Sequence, residues 1–351
     1  MIRTCREQKG LSQEELGQVV GVTRQTIAAW EKTERVPSIE QLGKIAKALG
    51  VPVDLLFGQR ETVEPTLLFR ADVPSVLSSE LRRFLTRKAE DYAVVEKLTG
   101  SFPVIPESRP MAEEDISFIE TVARDIRDWL GVEDAPLGDV LTLLEAKGLK
   151  VIPQPLPNEV SGFSAYTEDL GGVIFVNSGH ATERQFFTGL HELAHLIFHR
   201  KEYSAPSGIT TKSDPRERMA NGIAGAVLLS RTQIENELKS YRNRWIPEPL
   251  LRDMKYRYSV SMRTILLRAE QVGIISKRQM GMQIGKINAA YGKDKEGYEL
   301  PEPIAGRRLQ RLVYRALADE KITVSRAAEI LGTSIVDVRN ELAQWYWGAA
   351  A

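Results

Sequence analysis

The sequence predicts a mostly α chain with a small α+β part placed ahead of one long helix. Three observations predict it. Residues 1–57 read as short capped helices joined by tight turns. Two short apolar runs, LKVI and GVIFV, precede an apolar stretch that holds every histidine of the chain. From residue 231 the pattern is helical again, apart from an irregular stretch at Tyr291–Pro303. A length of 351 residues exceeds one ordinary core and suggests two or three domains.

Each element has a local cause. Ser12 with Glu15 three residues on forms a capping box that opens a helix over Gln13–Val19. Gly21 supplies the permissive backbone of a sharp turn, and Thr23 caps a second helix over Arg24–Lys32. Ser38 and Gln41 make another capping box, and Ile39, Leu42, Ile45, Ala46 and Leu49 share one helical face ended by Gly50. Pro52 suits the first turn of a last short helix ending at Leu55–Phe57. Residues 59–115 read as a connector, with a charged helix over Glu80–Thr99 and a linker over Gly100–Glu114 that holds three prolines. Helices are expected over Asp115–Leu130 and Leu137–Lys147, the second stopped by Gly148. Lys150–Pro153 and Gly172–Asn177 read as strands. Domain boundaries are accordingly expected at 1–58, 59–115, 116–250 and 251–351.

Composition excludes several classes. Basic and acidic residues number 47 each, so the formal net charge is zero, which argues against a uniformly basic nucleic-acid binder but not against a local basic face. Charge is uneven: net +1 over 1–58, −8 over 59–230 and +7 over 231–351. With Cys5 as the one cysteine, neither a disulfide scaffold nor a cysteine-based zinc site can form within a chain. That usage fits a reducing cytoplasm, the expected location. No apolar run approaches the ~20 residues of a membrane helix, so no membrane partner is expected.

The four histidines, His180, His191, His195 and His199, lie within twenty residues, and the stretch contains HExxH. On a helix His191 and His195 stand ~40° apart around the axis and ~6 Å apart along it, so both imidazoles can serve one tetrahedral ion. Glu192 follows His191, where a carboxylate can reach a metal-bound water. The rival reading is a buried helix with two satisfied core histidines. A catalytic zinc needs a third protein ligand and an open position. Position 201 is Lys, so a third histidine six residues after His195 is absent. His199 reads as a helix-end residue favoured by the negative dipole end, and His180 as a surface or outer residue. The third ligand is therefore expected downstream, among Glu202, Asp214 and Glu217. Glu217 is favoured because small residues at 220, 222, 224 and 225 let its helix approach another closely.

The stretch VIFVN…ERQFFTGLHELAHLIFH…ERMANGIAGAVLL resembles the ImmA/IrrE family of metallopeptidases. Asn177, Arg184, Phe187, Thr188, His191, Glu192, His195, Glu217, Ala220 and Asn221 fit its pattern. Ile223 stands where Phe is usual, and Leu229-Ser230 where Met-Pro is usual; both touch packing and leave the ligands intact. The resemblance implies His191, His195 and Glu217 as metal ligands and Glu192 as general base. It also implies a zincin-like domain with a small sheet and a repressor-like protein substrate. Zinc suits two histidines and a carboxylate, while Mn2+ or iron can occupy such a site.

GLSQEELGQVVGVTRQTIAAWEKTERVPSIEQLGKIAKALGVPVDLLF resembles the Xre, lambda-repressor-like helix-turn-helix family. The resemblance implies that the helix after Thr23 enters the major groove of a double-stranded operator. Arg24 can pair with guanine and Gln25 with adenine, with Thr23, Thr26 and Ala29 near the same face. Gln13, Lys32 and Arg35 are expected on phosphates, which position without specifying. Net +1 is weak for DNA, so a homodimer reading two half-sites is expected. A first helix beginning at Met1 lacks a turn that relatives often have.

Toward the C-terminus, Tyr258–Gly273 reads as a capped helix stopped by glycine. Ile322–Leu342 reads as a second helix-turn-helix-like pattern, with Ser325 as cap and Gly332 as turn. Such corners are common in structural roles, and Trp345 and Trp347 are expected in the core. The combined expectation is a DNA-binding regulator with a zinc metallopeptidase domain and a helical C-terminal domain. One alternative is a non-proteolytic transcription factor that uses the metallopeptidase-like domain as a sensor. The other is an antitoxin that binds a toxin partner.

Overall fold

A computed structural model describes residues 2–9, 11–32, 35, 37–49, 77–102, 105–110, 115–200, 214–293, 295–304 and 306–347. The short helix expected from Pro52 to Phe57 and the candidate ligand Glu202 lie outside these residues, as do the side chains of Trp345 and Trp347. The chain divides into two compact units, Met1–Thr66 and Leu67–Ala351.

The first unit contains α1 (Ile2–Gln8), α2 (Gln13–Val20), α3 (Arg24–Glu31) and α4 (Ile39–Leu49). The Ser12–Glu15 capping box opens α2, and Gly21 closes it at φ 79°. Thr23 accepts the amide of Thr26 and starts α3. Leu16, Val20, Ile27, Trp30, Leu42, Ile45 and Leu49 form its core. Arg6 of α1 pairs with Glu31 of α3 at 2.6 Å, and Gln13 of α2 donates to the same carboxylate at 2.8 Å. Burial alone would raise the Glu31 carboxyl; the hydrogen bonds from Arg6 and Gln13 outweigh it and hold the group below its ordinary value. Three helices thus meet on one charged group.

The second unit runs α5 (Ser79–Thr99), α6 (Ile116–Leu130), α7 (Val140–Ala146), β1 (Lys150–Gln154), β2 (Gly162–Thr167) and β3 (Gly171–Asn177). It continues with α8 (Thr182–Phe198), α9 (Pro215–Leu228), α10 (Arg231–Leu238), α11 (Glu248–Tyr258), α12 (Met262–Gln271) and α13 (Lys277–Tyr291). It ends with α14 (Arg307–Ala318), α15 (Val324–Leu331) and α16 (Ile335–Trp347). The sheet order is β1-β3-β2, with β1 parallel and β2 antiparallel to β3.

Both faces of this sheet are covered, which explains the unbroken apolar run of β3. Ile174 and Val176 face a core built with α6, α8, α9 and α12. Val173 and Phe175 face a second core with Tyr92 of α5, Val313 of α14 and Ile330 of α15. The helix in the segment read as a connector and the C-terminal helices therefore pack on one sheet face. Buried charges fasten that layer. Glu96 of α5, 3% exposed, meets Lys150 of β1 at 2.6 Å and Arg308 of α14 at 2.5 Å. Burial pushes the Lys150 ammonium down, and Glu96 opposes the shift.

Helix ends follow the same logic. The last carbonyls of α9 have no basic residue of their own helix nearby. Arg127 of α6 donates to Val227 O and Arg268 of α12 to Leu229 O, satisfying them from neighbouring helices. At α14 the N-cap is Gly306, which offers no side chain, and Glu145 of α7 accepts the amides of Gly306 (2.9 Å) and Arg308 (3.3 Å) instead. Burial pushes the Glu145 carboxyl up to about 7, against those two hydrogen bonds. Thr323 caps α15, accepting the amide of Arg326, so the expected cap at Ser325 is corrected: Ser325 lies inside the helix. Gly332 closes α15 at φ 67°, as the turn reading requires.

Candidate metal centre

Residues 182–198 form a long, largely apolar helix, and its buried positions run all round its circumference. Such a helix must be covered on every side. α8 lies against β2 and β3 and also packs on α7 and α9. The approach to β2 is tight. A Cβ on Gly162 would sit 2.4 Å from Phe175 O and 2.5 Å from Thr188 Cγ2, so only glycine lets strand and helix meet there.

α8 places His191 and His195 on the side toward α9. Asp214 caps α9 through the amide of Arg216 and pairs with the Arg216 guanidinium at 2.6 Å. Glu217, in the first turn, turns its carboxylate toward the two imidazoles. His191 Nε2 and His195 Nε2 are 3.0 Å apart. Glu217 Oε2 stands 3.3 Å from His191 Nε2, and Oε1 stands 3.4 Å from His195 Nε2. Ligands about 2.0–2.1 Å from a tetrahedral zinc stand roughly 3.3–3.4 Å from one another. Two imidazoles and a carboxylate at these separations fit a zinc-sized cation. His195 is fully buried, while His191 and Glu217 keep side-chain exposures of 14% and 19%.

Outer contacts aim the ligands. His191 Nδ1 lies 3.1 Å from Asn221 Oδ1, and His195 Nδ1 lies 2.8 Å from His199 Nδ1. Glu192, 6% exposed, accepts a 2.6 Å hydrogen bond from the hydroxyl of Ser164, itself fully buried on β2. Ser164 carries no signal in the sequence, because a lone serine in GFSAYT belongs to no motif. His180 is apart from this cluster, with Nε2 3.1 Å from Asn158 O. Asn177, at the end of β3, donates to Val160 O at 2.8 Å and accepts the amides of Leu156 and Gly179, fixing the loop that leads into β2. Arg184 of α8 holds Ser161 of the same loop at 2.8 Å.

In the first unit, the start of α3 presents Thr23, Arg24 and Gln25 to solvent, with Thr26 and Ala29 half-buried beside them. Thr23 is engaged in capping: its hydroxyl accepts the Thr26 amide and lies 3.0 Å from the Thr26 hydroxyl. Gln13 donates one of its two amide N–H groups to Glu31 at 2.8 Å. Lys32 and Arg35 are exposed beyond the end of α3.

The architecture is thus a helix-turn-helix unit joined in one chain to a zincin-type unit, in which an HExxH helix lies beside a small sheet. Residues 2–56 match the helix-turn-helix family and residues 144–270 match the IrrE N-terminal-like domain. The chain belongs to the helix-turn-helix transcriptional regulators and carries an IrrE N-terminal-like domain. It is similar to the Bacillus subtilis HTH-type transcriptional regulator YgzD, 45% identical over 60 residues, which are 17% of this chain and 91% of that protein. An HTH-type regulator of Methanothermobacter thermautotrophicus is 54% identical over 50 residues, 14% of this chain and 72% of the relative. The cryptic phage CTXphi transcriptional repressor RstR of Vibrio cholerae is 39% identical over 61 residues, 17% of this chain and 55% of its own length. Among the described residues, no helix is long and apolar enough to cross a membrane.

Proposed function

We propose that the chain is an operator-binding regulator whose second unit holds a zinc ion and hydrolyses a peptide bond in a protein partner. The observation that carries this reading is the convergence of His191, His195 and Glu217 within tetrahedral spacing, with Glu192 held beside them. A bound zinc supplies Lewis-acid polarisation of a carbonyl and makes a water molecule acidic near neutrality. The chain's own residues do the rest. Ser164 holds Glu192 Oε2, which leaves the other carboxylate oxygen to take a proton from the attacking water and return it to the leaving amide nitrogen. Manganese is the alternative metal, and the partner class is a repressor-like protein.

Metal content per chain tests the centre. The native protein should carry near one zinc, and His195→Ala should carry none. Native protein that stays metal-free after zinc is added back would sink the reading. The fusion to a DNA-binding head supports a second reading, a regulator that uses the same centre as a sensor or to bind a toxin-like partner. It requires metal uptake with no cleavage of any partner.

The operator is read by the start of α3: Arg24 and Gln25 against base edges, with Thr26 and Ala29 in contact range and Thr23 chiefly placing the helix. Gln13, Lys32 and Arg35 serve the phosphates, and Gln13 also braces α2 against α3 through Glu31. A homodimer would present two such helices to half-sites about 34–36 Å apart. Arg24→Ala should weaken binding to the cognate operator by about 5–150-fold, the equivalent of ~1–3 kcal/mol, and relax preference at one base pair. Footprinting and competition with mismatched operators check this. An equal loss on every sequence would assign Arg24 to the phosphates.

A further inference from the structure

The metal helix carries one more buried histidine whose role is not that of a ligand. His199 occupies the C-cap of α8, is 4% exposed, and lies with its ring centroid 5.0 Å from that of His195. The two Nδ1 atoms are 2.8 Å apart. A hydrogen bond between two imidazole nitrogens needs one donor and one acceptor. His195 can offer the Nε2 lone pair to a cation only when its proton sits on Nδ1. The direction follows: His195 Nδ1–H donates, and His199 Nδ1 accepts. His199 is then neutral, with its own proton on Nε2. His191 is served in parallel by Asn221 Oδ1 at 3.1 Å, so each ligand imidazole has its own acceptor from a different element.

We propose that His199 is a positioning residue of the metal centre, which fixes the tautomer and ring angle of His195 from the far side of the ligand. The inference rests on reading His191, His195 and Glu217 as the cation site. A histidine kept only for the helix dipole would not need to be buried with its Nδ1 against a ligand. Outer partners of this kind typically govern metal affinity by 10–100-fold when removed.

The test uses the full chain, stripped of metal and titrated with zinc against a chromophoric chelator. His199→Leu fills the space but removes the acceptor; His199→Asn returns an acceptor oxygen near the Nδ1 position. We expect the leucine variant to bind zinc about 10–100-fold more weakly and the asparagine variant to recover most of that loss. Equal zinc affinity in the native and leucine proteins would overturn the role, as would an asparagine variant no better than leucine. A second measurement needs no variant. Nitrogen-15 NMR of the imidazoles in the zinc-loaded native protein should show His199 protonated at Nε2 and bare at Nδ1, and the opposite tautomer overturns the proposal. Failure of the cation site itself would appear separately, as native protein that takes up no stoichiometric zinc.

Discussion

Glu192→Gln is expected to keep zinc and lose peptide hydrolysis by about 10²–10⁴-fold. The amide has nearly the shape of the carboxylate and can still accept the hydroxyl of Ser164 through its oxygen. It cannot take a proton from water. The ligand atoms of His191, His195 and Glu217 are unchanged, so metal content should stay near that of the native chain. The assay incubates native and variant protein with zinc and a pool of unstructured peptides, and reads new termini by mass spectrometry. Cleavage by the native chain that persists at full rate in a clean Glu192→Gln preparation would remove Glu192 from the role of base. A metal-loaded native chain that cleaves neither the pool nor a co-encoded repressor would favour the sensor reading.

The second large effect concerns stability. Glu96 is shared by Lys150 of β1 and Arg308 of α14 in the layer over the second sheet face. Glu96→Gln preserves volume but leaves two buried cations without their anion. Removing one partner of a buried ion pair typically costs about 3–5 kcal/mol, much of it the cost of leaving charge uncompensated. Leu170 O also accepts from Lys150 and Ser101 O from Arg308, which keeps the cations hydrogen-bonded but not neutralised. Denaturant titration should therefore show a clear drop in midpoint, with α5 and α14 losing amide-exchange protection first. A loss below about 1 kcal/mol would mean that water reaches and solvates the pair.

Much of this architecture is legible in the sequence. Caps at Ser12, Thr23 and Ser38 are local signals, and the helices stand where those residues place them. HExxH spacing is likewise local, and the small residues after Glu217 announced a helix that could come close to α8. Strand β2 was not legible. GFSAYT has glycine at its start and serine at a fully buried position, and neither choice reflects β-propensity. Gly162 is there because Thr188 and Phe175 leave no room, and Ser164 because its hydroxyl serves Glu192. Both reasons lie across the fold rather than along the chain. The pairing of α5 with α14 was hidden for the same reason, since Glu96 and Arg308 are 212 positions apart. His199 looked like an ordinary helix-end residue because its burial against His195 depends on what covers α8.

Glu145, which stands in for the missing cap of α14, ties assembly of the C-terminal helices to the acidity of the surroundings. Its folded value of about 7 lies above the ordinary 4.5 of an unfolded glutamate. Between those values the folded chain holds a proton that the unfolded chain has released. The stabilisation is complete below the unfolded value and is lost as pH rises through about 7. Folding near pH 6 should therefore draw a proton from the buffer. Calorimetric unfolding in buffers of different ionisation enthalpy would count it, and Glu145→Gln should abolish the uptake.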